Sequence, residues 1–296
     1  KVQYHQLGFV ITDEQHRFGV EQRKAIKNKG SQVDFLIMSA TPIPRTLAIS
    51  MYGDMEVSTI KTMPNGRLPV QTKFIQSSSM KPILTHLKEY LASGGQCYVI
   101  CPLVEDSEVL EARSASQIAE AMQNYFRDSY QVGLLHGQMK DQEKDEIMNQ
   151  FQQNDIQILV STTVVEVGVD VKNANMMVIY NAERFGMSQL HQLRGRVGRG
   201  NQQAYCYMMS SSTSKDAVER LKYMEKSHDG FEISMYDLQL RGPGEVLGNR
   251  QSGVPTFLIA DILKDFPVLQ IARDDAIYLI DKYKKGIGYQ ELIQKI

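Results

Sequence analysis

Apolar and polar positions along the chain change their rhythm twice. The runs at 7–12 and 33–38 are short, continuous and apolar, and they read as buried strands with a polar, helix-compatible stretch between them. A third strand is expected around 55–61, ending at the turn Pro64-Asn65-Gly66. Three strands cannot close a full α/β domain, so 1–65 is expected to be the C-terminal part of one. From 66 to 211 the alternation is complete. Strand candidates at 70–75, 96–101, 132–135, 157–160, 176–180 and 204–209 are separated by helical patterns such as 81–91, 115–128 and 140–150. That is the pattern of a doubly wound parallel sheet.

Beyond the serine run 210–212 the pattern turns helical. Ala217, Leu221 and Met224 recur at helical spacing, and Asp229-Gly230 stops that helix. A second helix is expected to start with Ser234 as N-cap and Asp237 three residues on, and to stop at Gly242-Pro243. The two make a helical hairpin, followed by a glycine-rich loop to Gly253 and an amphipathic stretch at 268–283. The expected division is therefore 1–65, 66–211 and 212–296. The chain starts directly before a strand without a methionine, which reads as a truncated beginning.

Composition narrows the class without naming a chemistry. The 296 residues are 42% hydrophobic and 23% charged, as in an ordinary globular protein. No apolar run approaches the roughly 20 residues that cross a bilayer, so no membrane partner is expected. Cys97 and Cys101 share one predicted strand and lie roughly 13 Å apart, too far to bridge. With Cys206 they read as buried thiols in a reducing, cytoplasmic setting. The six histidines lack metal-ligand spacing. A net charge of −1 excludes a polycation but not a motor that grips DNA through a few local contacts.

The chemistry-bearing stretches sit where predicted strands end. Asp13-Glu14-Gln15-His16 follows the first strand directly. Open α/β sheets bind ligands at the carboxyl ends of their strands, and adjacent carboxylates there suit a phosphohydrolase, one holding Mg²⁺ and one polarising water. Such a pair also serves as a helix cap, so alone it leaves the choice open. Ser39-Ala40-Thr41 ends the next strand, followed by Pro42-Ile43-Pro44-Arg45. Thr41 either caps a helix or reports on a nucleotide beside Asp13 and Glu14. His136-Gly137 ends a strand with a glycine that permits close backbone approach, and His136 itself reads as a structural hydrogen-bonder. The stretch from Ser161 to Asp170 carries Thr162, Gly168 and a terminal acid, suited to nucleic-acid phosphate contacts. The most specific stretch is Gln192-Leu193-Arg194-Gly195-Arg196-Val197-Gly198-Arg199. Three arginines so close would repel one another on an ordinary surface, and they make sense if an anion neutralises them. An arginine that reaches a transferring phosphoryl group raises rates by about 10³–10⁵.

Taken in order, these stretches resemble motifs II to VI of the superfamily 2 helicases. The flanking Asp13–Val20 and Ala40–Leu47 segments narrow the resemblance to the RecG family, as does Arg241-Gly242-Pro243-Gly244-Glu245 with Gln251-Ser252-Gly253. The stretch Pro64-x-Gly66-Arg67-x-Pro69-Val70 also favours RecG over the transcription-repair coupling translocases, which share the translocation (TRG) motif. The resemblance implies RecA-like sheets, one partial and one complete, before a TRG helical hairpin. It implies ATP and Mg²⁺ as cofactors, with Asp13 holding the metal through water and Glu14 activating water. His16, Gly168, Asp170, Gln192, Arg196 and Arg199 would complete the nucleotide site, Arg199 as the finger. Thr41, Arg45, Gly137 and Thr162 would line the DNA track, and Arg220, Arg241 and Gln251 would belong to the hairpin. The implied partner is branched DNA, at stalled forks and Holliday junctions, with wedge and Walker A domains upstream in the same polypeptide. The chain itself has no Gly-Lys dipeptide and hence no G-x-x-x-x-G-K-[ST] loop, so alone it is expected to turn over no ATP. A coupling translocase and a non-catalytic DNA-binding fragment are the alternatives.

Overall fold

A computed structural model describes residues 5–13, 33–39, 57–60, 62, 66–102, 108–127, 129–162, 171–199, 202–241 and 265–284, with 108–113, 241, 266 and 284 described by backbone alone. Two parallel sheets carry the α/β part. β1 (Phe9–Thr12) and β2 (Asp34–Ile37) pair in parallel, Phe9 opposite Asp34 and Thr12 opposite Ile37. The second sheet has six parallel strands: β3 (Gln71–Ile75), β4 (Cys97–Ile100), β5 (Val132–Leu135), β6 (Ile158–Ser161), β7 (Met176–Ile179) and β8 (Tyr205–Met209). Their order across the sheet is β3-β8-β7-β4-β6-β5. Each crossover carries the chain back to the amino edge through a helix or loop, as parallel pairing demands.

The interior strands follow the rule for sheets covered on both faces. β4, β6 and β7 are buried at every position, which is why they read as continuous apolar runs rather than alternating ones. Against them pack α1 (Lys81–Ala92), through Ile83, Leu87 and Leu91, and α2 (Glu108–Phe126), through Ala115, Ala119, Met122 and Phe126. α3 (Asp141–Gln152) buries Met148 and Phe151. Cys97, Cys101 and Cys206 are all free and buried. Burial pushes the Cys101 and Cys206 thiols up to about 12, and Cys97 upward as well.

After β7, Asn181 takes a left-handed conformation and a 3-10 turn, Ala182–Arg184, leads into α4 (Met187–Arg194). Gln189 accepts from the Gly186 backbone N–H at 3.1 Å, half of a capping box. α5 (Lys215–Lys226) buries Ala217, Leu221 and Met224, the residues whose spacing predicted it. α6 (Gly230–Arg241) starts four residues before the expected Ser234 cap. Asp229 caps it instead, its carboxylate accepting from Phe231 N at 2.7 Å and its carbonyl from Ile233 N at 3.0 Å. The helix α7 (Phe266–Lys284) contains the expected amphipathic stretch. The strand expected around 55–61 is not formed at its described residues 57–60, where Ile60 is 88% exposed. Among the described residues no strand pairs with 57–60.

By their internal contacts the residues fall into two compact units, 1–42 with 62–233, and 43–61 with 234–296. Among the described residues no helix is long and apolar enough to cross a membrane.

Candidate nucleotide and nucleic-acid site

The candidate residues of the six-stranded domain separate to opposite ends of the sheet. All six strands run parallel, so their carboxyl ends share one edge. Gly137 and Thr162 follow the adjacent strands β5 and β6 and sit at that edge, joined where Thr162 N donates to Leu135 O at 3.2 Å. Among the described residues, a side chain built on Gly137 would meet nothing within 4 Å, which leaves the backbone there open to approach. Thr162 is 1% exposed, yet among the described residues its hydroxyl has no hydrogen-bond partner, and neither has the buried Nδ1 of His136. Buried polar atoms without partners are uncommon and costly. His136, read from sequence as a structural hydrogen-bonder, therefore leaves this nitrogen unused.

The arginine stretch lies at the amino edge. α4 runs back along the sheet, and the loop after it is held where β3, β7 and β8 begin. Gly198 has φ +72°, and an added Cβ would stand 3.0 Å from Ala204 Cβ and 3.2 Å from Val70 Cγ2, so only glycine fits. Its N–H donates to Asn175 Oδ1 at 3.2 Å. Asn175, 2% exposed, donates in turn to Lys172 O at 2.9 Å and to Gln202 Oε1 at 3.2 Å. From the start of the domain, Arg67 Nε donates to Gly198 O at 2.9 Å and Nη2 to Gly195 O at 3.2 Å. Arg67 belongs to a stretch that bore on family resemblance, but its contacts lie 128 and 131 residues away and left no local signal.

The three arginines are not equivalent, which corrects the expectation that one anion neutralises them together. Arg194 is 4% exposed and its Nη1 donates to Met224 O and Ser227 O, both at 2.8 Å. It caps the C-terminal end of α5, where unpaired carbonyls carry the helix's partial negative charge. Burial lowers its pKa. Its charge and, more strongly, burial hold His191 down at about 4, against smaller opposing effects from Asp229 and a backbone hydrogen bond with His228. Arg196 is half-buried and Arg199 exposed. Among the described residues no hydrogen bond or ion pair engages either guanidinium. Gln192 lies on α4, half-buried, one turn before Arg196.

In the two-stranded sheet, Asp13 is exposed and directly follows β1, and Ser39 follows β2, so both stand at its carboxyl edge. Met38 N donates to Thr12 O at 2.8 Å, extending the pairing to that edge. Among the described residues no three His, Cys, Asp or Glu side chains converge as a metal site. An exposed carboxylate such as that of Asp13 is of the type Mg²⁺ takes, one or two beside waters and phosphate oxygens. Arg220, on α5, donates from Nη2 to Glu183 O at 2.8 Å, tying α5 to the turn before α4. Arg241 is the last residue of α6, described by its backbone. Glu14, His16, Thr41, Arg45, Gly168, Asp170 and Gln251 lie outside the described residues.

The chain is similar to known proteins along most of its length. The helicase conserved C-terminal domain family matches residues 82–201, and the family described as "ATP-dependent DNA helicase RecG, domain 3, C-terminal" matches 227–294. The chain is 50% identical over 280 residues to the ATP-dependent DNA helicase RecG of Bacillus subtilis, covering 95% of the chain and 41% of that relative. It is 48% identical over 294 residues to the protein of the same name from Staphylococcus aureus, covering 99% of the chain and 42% of the relative. The chain thus spans about two fifths of the length of the curated relatives it matches. A solved structure of RecG bound to a three-way DNA junction aligns with a TM-score of 0.69 at 43% identity, over 91% of this chain and 34% of that one. A single-substitution variant of S. cerevisiae Dbp5 bound to RNA and ADP BeF3 aligns with a TM-score of 0.54 at 15% identity, over 78% of this chain and 59% of that one, a likeness of fold alone.

Proposed function

Because the chain belongs to the RecG family of DNA helicases, we propose that the full-length protein is an ATP-driven motor that remodels branched DNA, at stalled forks and Holliday junctions, in recombination and repair. The observation that carries this reading is the separation of two candidate surfaces on one sheet. Among the described residues, two guanidinia at the amino edge have no partner, and at the carboxyl edge an open glycine stands beside two buried polar atoms without partners. A motor needs its fuel site and its track to be distinct and mechanically joined, and a rigid parallel sheet joins them.

In this reading residues 1–65 belong to the first RecA-like domain, 66–211 form the second, and 212–296 carry the TRG hairpin. Glu14 polarises the attacking water, and Arg196 and Arg199 face the terminal phosphate with Gln192, so that positive charge stands where negative charge develops. Asp13 would hold Mg²⁺ through water, and the ion would supply charge neutralisation at the phosphates. His16, Gly168 and Asp170 complete the nucleotide site. Thr41, Arg45, Gly137 and Thr162 contact the DNA backbone, which positions a duplex without reading its sequence. Arg220, Arg241 and Gln251 transmit the cycle through the hairpin. Upstream wedge and Walker A domains of the same polypeptide supply the junction contact and the phosphate cradle. The 296-residue chain alone therefore hydrolyses no ATP above background, and the reducing cytoplasm suits its three thiols.

The test is DNA-stimulated ATP hydrolysis by full-length protein carrying Glu14→Gln or Arg199→Ala. Both are expected to bind nucleotide and junction DNA while losing turnover, Arg199→Ala by about 10³-fold or more. Near-normal turnover of either variant would remove that residue from the chemistry.

A further inference from the structure

Arg67 is the fixed point from which the arginine loop hangs. It follows Gly66, whose φ is +84°, and precedes β3 by three residues. Its two hydrogen bonds end on the carbonyls of Gly195 and Gly198, which bracket Arg196 and directly precede Arg199. Those carbonyls lie just past the end of α4, where a helix leaves acceptors unpaired. Two glycines make the loop permissive, and Gly198 occupies the left-handed region. The dihedrals of 196–198 therefore need an outside constraint. A planar guanidinium with fixed donor spacing supplies one, and its bonds to carbonyls are strengthened by charge.

We propose that Arg67 is a positioning residue for ATP hydrolysis, holding the backbone of 195–199 so that Arg196 and Arg199 meet the terminal phosphate already oriented. This rests on the nucleotide-facing role proposed above for those two arginines. Arg67 directs two of its five donors at the loop, and its assigned part is to hold the loop rather than the phosphate. Its contribution is preorganisation, which belongs to the transition state, so kcat responds and the KM for ATP does not. Because Gly198 keeps its bond to Asn175 and α4 keeps its packing, the loop without Arg67 stays attached but wanders. A misplacement of about 1 Å costs up to about 10²-fold in rate. The competing role is purely structural: Arg67 pins the entry to β3 and stabilises the domain without bearing on turnover.

The experiment uses full-length protein with branched DNA and compares Arg67→Ala, Arg67→Lys, Arg199→Ala and the Arg67→Ala/Arg199→Ala double variant. It measures kcat, KM for ATP, junction binding and thermal unfolding on each. Arg67→Ala is expected to lose about 10- to 100-fold in kcat with KM changed less than about twofold. Arg67→Lys, with one donor group in place of a fork, is expected to fall between, and it carries the test if the alanine variant fails to fold. Starting from Arg199→Ala, adding Arg67→Ala is expected to cost less than it costs in wild type, because only Arg196 is then left to be misplaced. Normal kcat in both Arg67 variants beside an inactive Arg199→Ala overturns the positioning role and leaves the proposed function standing. Normal kcat in Arg199→Ala overturns the function of the loop itself. A fall in kcat that tracks a fall in unfolding temperature, with no recovery in Arg67→Lys, assigns Arg67 to stability alone and also overturns the proposal.

Discussion

Arg194→Ala separates the buried arginine from its two neighbours by stability rather than activity. The substitution removes donors from Met224 O and Ser227 O, each 2.8 Å away, and Met224 is fully buried. A hydrogen bond to a charged group contributes about 1.5–3 kcal/mol, which gives about 3–6 kcal/mol for the pair. Part of that is offset, since removing the side chain also relieves the desolvation of a buried guanidinium, one of whose nitrogens has no partner. A net loss of about 2–4 kcal/mol remains, concentrated where α5 ends and the chain turns into α6. Local opening is the right readout, because a protein with several domains does not unfold in one step. Amide hydrogen exchange in the last turn of α5 and at 227–229 should quicken by about 30- to 1,000-fold in Arg194→Ala. Arg199→Ala, at an exposed position, should leave the same amides within about 0.5 kcal/mol of wild type. Unchanged exchange in Arg194→Ala would refute the capping role, and equal acceleration in both variants would refute the distinction between the arginines.

Three further outcomes follow from the same geometry. His191 is held down at about 4 in the folded state by burial and Arg194, against 6.5 in the unfolded chain, so the unfolded state binds more protons between those values. Stability around α4 should therefore be full above pH 6.5 and fall as the pH drops towards 4, a slope that amide exchange protection in α4, corrected for the intrinsic rate at each pH, should show diminished in His191→Asn. Cys97, Cys101 and Cys206, buried with raised pKa values, should resist alkylation at pH 8 in the folded protein and react once urea unfolds it. Arg241→Ala in the full-length protein should retain DNA-stimulated ATPase and lose fork unwinding; if Arg241 were only a cation at the end of α6, worth about 0.3–1 kcal/mol, both activities would persist.

What could be read from sequence followed the range of the interaction responsible. β5 lies at 132–135 as expected, because four apolar residues between polar neighbours fix a buried strand without outside help. β4, β6 and β7 are equally legible, their continuous apolar runs matching burial on both faces. The start of α6 was misplaced because Ser234 and Asp229 are both capable caps, and the choice rests on which backbone N–H groups are left open. The run at 55–61 has strand composition, but composition cannot supply a partner. Arg194 looked like Arg196 and Arg199 because its acceptors lie 30 and 33 residues along the chain. The hold of Arg67 on Gly195 and Gly198 was hidden for the same reason at greater distance. Glycine spacing marked the arginine loop as special; only the fold separates the arginine that builds it from those it presents.

In the proposed motor, one sheet carries fuel chemistry at its amino edge and DNA contact at its carboxyl edge. Hydrogen exchange of the full-length protein, with a non-hydrolysable ATP analogue or a three-way junction added separately, tests it directly. The nucleotide analogue should slow exchange at 195–199 and leave 136–139 unchanged, and junction DNA should slow exchange at 136–139 and 162. Protection of 136–139 by nucleotide alone, or of 195–199 by DNA alone, would contradict it.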